Sequence, residues 1–437
     1  MPSVRQDLAA LPREAWVISA GLFVNKFGNF VNVFIVLYLT ARGYSPAQAG
    51  IALAVIGLGN FVGNALGGLL ADVAGRRATI IVSMFGSGLI TMTVPVLTSS
   101  LTMTVAGLGV LGVFAQLFRP AAGALLVDAV RDDQLLTAFT LLRLAINVGM
   151  AVGPAVGGLL SSYSYTWLFI ADGLTSIVYG LLALFLLRDS PRATSTDSAA
   201  ARTAAADAAS FATKQTAGYA VVVKDHRYLA YLLSMVAATY VYSQATATLP
   251  LHARAQGLSN ETFGLLLGLN ALLVVALELP ITRLTGRYTA RPVIAAGLAL
   301  LGVGMAATGA SQGVTGIAAT IVVWTLGEMV YTPVANAYPG QVAPANARGR
   351  YQGAEGLAHT LGATLGPAAG GLLYAANPPW HWLVCLLVAV AGAALIFLSR
   401  AVASHPEALV AAPATAEKLS TPPPHCSPEL NDGSRSL

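Results

Sequence analysis

Apolar runs of about 20 residues, each long enough as a helix to cross a hydrocarbon core, recur from one end of this chain to the other. They lie at 15–40, 47–70, 78–98, 102–127, 135–161, 165–187, 228–251, 259–282, 291–311, 314–338, 351–375 and 381–400. No soluble fold buries so many runs, because a water-facing surface needs charge and only 10% of the 437 residues are charged against about 25% in an ordinary soluble domain. The expected fold is therefore an all-α polytopic membrane protein. The 44 Gly and 22 Pro favour close helix packing and local bending, which suit a moving machine better than an anchor.

The formal charge of +5 is spread out and not interleaved with aromatics, so a nucleic-acid partner is excluded. Its distribution instead sets orientation. With a cytoplasmic N-terminus, Arg5, Arg13, Arg76, Arg77, Arg131, the six basic residues of 188–227, Arg283, Arg287, Arg291, Arg348, Arg350, Arg400, Lys418 and Arg435 fall inside. Only Arg42 and Arg254 fall outside, so both termini are expected in the cytoplasm of a bacterial inner membrane. No signal-peptide cleavage pattern precedes the first run, which is expected to remain as a helix. Cys385 and Cys426 support neither a disulfide framework nor a metal site, and no cofactor is expected.

The second half repeats the first. Gly149, Gly153, Pro154, Gly157 and Gly158 recur 213 positions on as Gly362, Gly366, Pro367, Gly370 and Gly371, both within GxxxGPxxGGLL. Pro120 and Pro333 share that offset, and Gly75-Arg76 recurs as Gly286-Arg287. The expected organisation is an N-terminal six-helix bundle over 1–187, a cytoplasmic loop over 188–227, a C-terminal bundle over 228–400 related by pseudo-two-fold symmetry, and a disordered cytoplasmic tail over 401–437.

The turn after the second run reads Gly68-Leu-Leu-Ala-Asp72-Val-Ala-Gly75-Arg76-Arg77 and resembles the GxLaDrxGRR signature of the major facilitator superfamily. The resemblance covers 15–400 and is closest to its twelve-helix drug:proton antiporters. It implies a major facilitator fold and a cytoplasmic conformational latch at Gly68, Asp72, Gly75, Arg76 and Arg77, with Asp72 buried at a helix end. The run at Gly149, Gly153, Pro154, Gly157 and Gly158 is similar to the antiporter motif of that group, which implies export, although its duplication shows that packing explains part of it. Arg119-Pro-Ala-Ala-Gly123 matches the group's RxxqG motif less well, since Ala122 replaces the glutamine. Arg119 is thus either tied to proton transfer or paired with Asp128 or Asp72 near the cytoplasmic surface.

Charges inside apolar runs are costly, by roughly 2.5–3.5 kcal/mol each on the insertion scale, and point to function. Glu328, between Trp324 and Tyr331 on the tenth run, is a candidate proton carrier because desolvation favours its neutral form, and the two aromatics would wall a substrate site. Asn25, Lys26, Asn29 and Asn32 form a polar stripe on the first run, and Arg143 with Asn147 a patch on the fifth. Lys26 or Arg143 is expected to neutralise Glu328. Proton-coupling candidates are Glu328, Asp128 and Arg119; Asp172 and Glu278 read as structural, and His359 as a packing residue or a relay.

Together these point away from an enzyme and to a monomer in the lipid bilayer that exchanges protons for a hydrophobic or cationic small molecule, as multidrug exporters do. The absence of GxxxxGK[ST] excludes ATP as an energy source within this polypeptide. The alternatives are an importer or uniporter of a small nutrient on the same fold, or a non-transporting membrane receptor.

Overall fold

The computed structural model describes residues 8, 10–97, 100–131, 134–188, 221–344 and 347–399, and the expected tail and most of the 188–227 loop lie outside these. The regular structure among them is helical. The first span is split into α1 (Arg13–Phe27) and α2 (Phe30–Ala41). Spans two to six are α3 (Pro46–Ala74), α4 (Arg76–Leu97), α5 (Leu101–Ala129), α6 (Leu135–Tyr163) and α7 (Tyr165–Leu186). The seventh is split into α8 (His226–Tyr242), α9 (Gln244–Ala247) and α10 (Leu249–Ala255). Spans eight to twelve are α11 (Asn260–Thr285), α12 (Ala290–Thr308), α13 (Gly313–Val342), α14 (Arg348–Ala376) and α15 (Pro378–Leu398).

Ten of these spans are long and apolar enough to cross a bilayer. The seventh falls short because it is broken, and the eleventh because Arg348, Arg350, Gln352, Glu355 and His359 dilute its first turns. Large apolar side chains such as Val73, Val96 and Phe185 are left three-quarters exposed on the outside of the bundle, an arrangement that only lipid makes favourable. Local sequence signals set several ends. Ser45 and Gln48 form a reciprocal capping box at the start of α3, and Gly75 adopts φ 92° at the α3–α4 turn, which a side chain would strain.

The break in the first span centres on Gly28-Asn29, where the backbone leaves the helical ladder and Gly28 abuts Thr175 of α7. Beyond it, α2 is buried from Phe30 to Leu39 apart from Asn32. It lies in an apolar core shared by both halves, in which the Phe34 ring meets that of Phe263 edge-on at 5.9 Å.

The duplicated glycine runs build the contact between halves. On α6, Gly149 and Gly153 lie against the carbonyls of Phe23 and Phe27, while on α14 Gly362 and Gly366 lie against those of Val236 and Tyr240, the same relation 213 positions on. Their other edges cross to the opposite half. A Cβ on Gly264 of α11 would overlap the Pro154 carbonyl, and one on Gly50 of α3 would overlap that of Pro367. These crossings cluster at the end of the bundle that carries the 41–46 and 255–260 turns, where Arg254 also donates to the Leu37 carbonyl and Asn260 to the Tyr165 hydroxyl. Open space beside glycines occurs at both ends, at Gly43 and Gly257 as at Gly68, Gly123, Gly349 and Gly356, but towards the second end the polar residues Asp72, Arg119, Arg143 and His359 of the spans are exposed. The bundle is closed at the first end and splayed at the second.

Candidate functional site

Splitting the first span places its polar stripe at a bend, where backbone groups need partners. Asp172, seven residues into α7 and buried, supplies one: its Oδ2 accepts the N–H of Val31 at 2.8 Å and its carboxylate also takes that of Phe30. This carboxylate therefore caps the N-terminus of α2, where a negative charge is favoured. Asp172 thus holds the backbone at the bend and also lines a cavity of about 100 Å³.

That cavity lies between the first, second, third, fourth and sixth spans and is walled mainly by amides and hydroxyls. Asn25, Lys26, Asn29 and Asn32, the polar stripe of the first span, line it; Asn60, Gln116, Ser87 and Thr91 join them from spans that read as plain apolar runs. Lys26 makes no ion pair within 4.0 Å among the described residues, and its stem packs on Gly149. Arg119 is exposed, close enough for its charge to act on Lys26 and on His359.

In the second half, Glu328 is half-buried on α13 and accepts from Asn270 Nδ2 at 3.1 Å and from the Tyr242 hydroxyl. Asn270 also donates to Thr325 Oγ1 at 3.0 Å, so three spans fix the carboxyl. Neither Lys26 nor Arg143 pairs with it, contrary to expectation. Arg143 reaches across the halves to Glu278 at 2.5 Å, since α6 and α11 run side by side and bring Glu278 nearer than α13 brings Glu328. Asn147 lies one turn beyond, half-buried. Trp324 does not wall a cavity: it is 1% exposed, packed on Gly304 and edge-on to Tyr242. Tyr331 is buried against Gly297. A further acid, Glu355 on α14, stands half-buried where its charge acts on Tyr228 and Tyr231.

The α3–α4 turn departs from the expected latch in one respect. Asp72 is exposed, because the splayed end leaves the last turn of α3 uncovered. Arg76 pairs instead with Asp128 and donates to the Ala124 carbonyl, tying the turn to α5, while Arg77 donates to the carbonyls of Ala183 and Leu184. This leaves Arg119 without Asp128 as its partner and joins Asp128 to the turn.

The family model described as Major Facilitator Superfamily matches residues 18–262 and 232–425. Among curated proteins, the chain is 27% identical over 373 residues to the uncharacterized MFS-type transporter YqjV of Bacillus subtilis, covering 84% of this chain and 88% of the relative. It is 23% identical to a Na(+), Li(+), K(+)/H(+) antiporter of Planococcus maritimus, over 79% and 85% of the two chains. It is 24% identical to multidrug resistance protein MdtH of Escherichia coli (strain SE11), over 81% and 85%. Among solved structures, it is similar to the nucleoside transporter NupG, with a TM-score of 0.75 at 14% identity over 89% of this chain and 100% of the other. It is also similar to a D-xylose-proton symporter, with a TM-score of 0.69 at 14% identity over 89% and 98%.

Proposed function

The chain belongs to the major facilitator superfamily of membrane transporters, and from its polar groups we propose that it is a proton-coupled exporter of hydrophobic or cationic small molecules. The observation that carries this reading is Glu328, a half-buried carboxyl on a membrane span, held by Asn270 and Tyr242 with no basic partner among the described residues. A carboxyl so placed is most stable when protonated, and a cationic substrate or water reaching it favours its ionised form. Proton and substrate would then exchange at one group.

On the orientation set by the basic residues, the splayed end faces the cytoplasm, so this is the state that would take up cytoplasmic substrate. The two sets of glycine crossings would open as the halves rock, and the turn around Asp72, Arg76 and Asp128 would engage when the cytoplasmic end closes. Resemblance of the glycine run to the antiporter motif, and the multidrug and cation/proton relatives, support export. The similar solved structures bear on fold alone. Reconstituted into vesicles, the protein should expel a lipophilic cation against its gradient when a pH difference is imposed and stop when an uncoupler is added. Uphill uptake in the opposite sense would instead support a nutrient importer.

A further inference from the structure

The cavity beside the break in the first span differs in character from the carboxyl-centred site in the second half. It holds about 100 Å³, room for several waters. Its wall presents the amides of Asn29, Asn32, Asn60 and Gln116 around Lys26. The one carboxylate among them, Asp172, is engaged by the backbone N–H groups of Phe30 and Val31. Lys26 makes no ion pair within 4.0 Å among the described residues, and the charges of Arg119 and Asp172 act on it in opposite senses. An amine among amides inside a membrane span, beside a carboxylate that is shared with two backbone N–H groups, is a site whose positive charge is only partly matched.

We infer that this cavity binds an oxyanion group of the transported compound, a carboxylate in the first instance, with Lys26 as its counter-ion and the Asn and Gln amides as its hydrogen-bond donors. The substrates are then amphoteric or acidic as well as lipophilic: the acid group docks in the first half, and a basic or apolar part extends towards Glu328 in the second. The polar wall suits such a group, so the cavity reads a functional group and not a whole molecule. Lys26→Arg would preserve the counter-charge, whereas Lys26→Met would remove it while keeping the length of the side chain.

This inference rests on the reading of the central region as a transport pathway, but its test needs no gradient. Full-length protein in phosphatidylcholine nanodiscs would be titrated with dansylglycine and with dansylglycinamide, which differ in the carboxylate, following dansyl fluorescence. The acid should bind about tenfold more tightly than the amide, equivalent to about 1.4 kcal/mol. That preference should persist in Lys26→Arg and fall to about twofold or less in Lys26→Met, with elution and thermal midpoint checked in each. Gln116→Leu, further from the break, should weaken the acid about threefold and leave the amide unchanged. Equal affinities in the unmodified protein, absence of saturable binding of the acid, or an undiminished preference in Lys26→Met would overturn the inference. Selective binding without proton-driven efflux would instead count against the proposed export and leave this site standing.

Discussion

Asp172 of the sixth span caps the helix that begins at Phe30 in the first, its carboxylate and the backbone N–H of Val31 meeting at 2.8 Å. The break at Gly28-Asn29 would otherwise leave the buried N–H of Val31 unsatisfied, at a cost of about 1–3 kcal/mol. Asp172→Ala should lower stability by about that amount, and Asp172→Asn, which keeps an acceptor without the charge, by about half as much. Thermal unfolding followed on a fluorescent size-exclusion column would check the order; an Ala variant as stable as the original would remove the capping role.

Glu328→Gln keeps size and hydrogen bonding while fixing the neutral state. Uphill efflux driven by a pH difference should vanish in it, whereas downhill exchange of substrate across the vesicle membrane should survive. Vesicles that still concentrate substrate would disqualify Glu328 as the carrier.

Asn270 and Tyr242 position that carboxyl. Asn270→Leu deletes one donor and should reduce pH-driven efflux about tenfold, with a smaller loss of substrate binding, because a hydrogen bond to a charged acceptor is worth about 1.5–3 kcal/mol. Parallel flux and binding titrations would separate the two effects.

At the α3–α4 turn, Asp72 is exposed in the splayed state, so any partner it has must come with closure. Asp72→Asn should slow transport while leaving substrate affinity within about twofold. An unchanged transport velocity would remove the turn from the cycle.

Orientation is tested by labelling. Cysteines placed at Ser195 and Ser420, in a background lacking Cys426, should resist a membrane-impermeant maleimide in intact cells and react once the cells are opened. Reaction from outside would invert the topology.

Much of this architecture was legible because lipid imposes simple rules. Spans announce themselves by apolar length, and a two-fold repeat announces itself by motifs such as Gly149–Gly158 and Gly362–Gly371 at a fixed offset. Partners across spans were not legible. Arg143 found Glu278, and Asp128 found Arg76, because neighbour order in a bundle decides which charges meet, and one sequence carries no record of it. Asn60, Gln116 and Asn270 sat inside apolar runs; the cost of burying an amide was the available signal. Trp324 shows the converse, since the spacing that places it one turn from Glu328 says nothing of the face it presents, and Gly304 of α12 opens a groove for it.

The glycine crossings between the halves are peptide backbone resting on peptide backbone: Gly264 on the Pro154 carbonyl, Gly50 on that of Pro367, Gly158 on the main chain at Asn260. Such surfaces carry no rotamers to freeze when they meet or release when they part, so separation leaves side-chain entropy almost untouched. They behave as a pair of smooth bearings set at equivalent points of a duplicated frame. Resistance at these crossings then falls to the lipid and water that must fill the gap, which ties this part of the motion to the fluidity of the membrane.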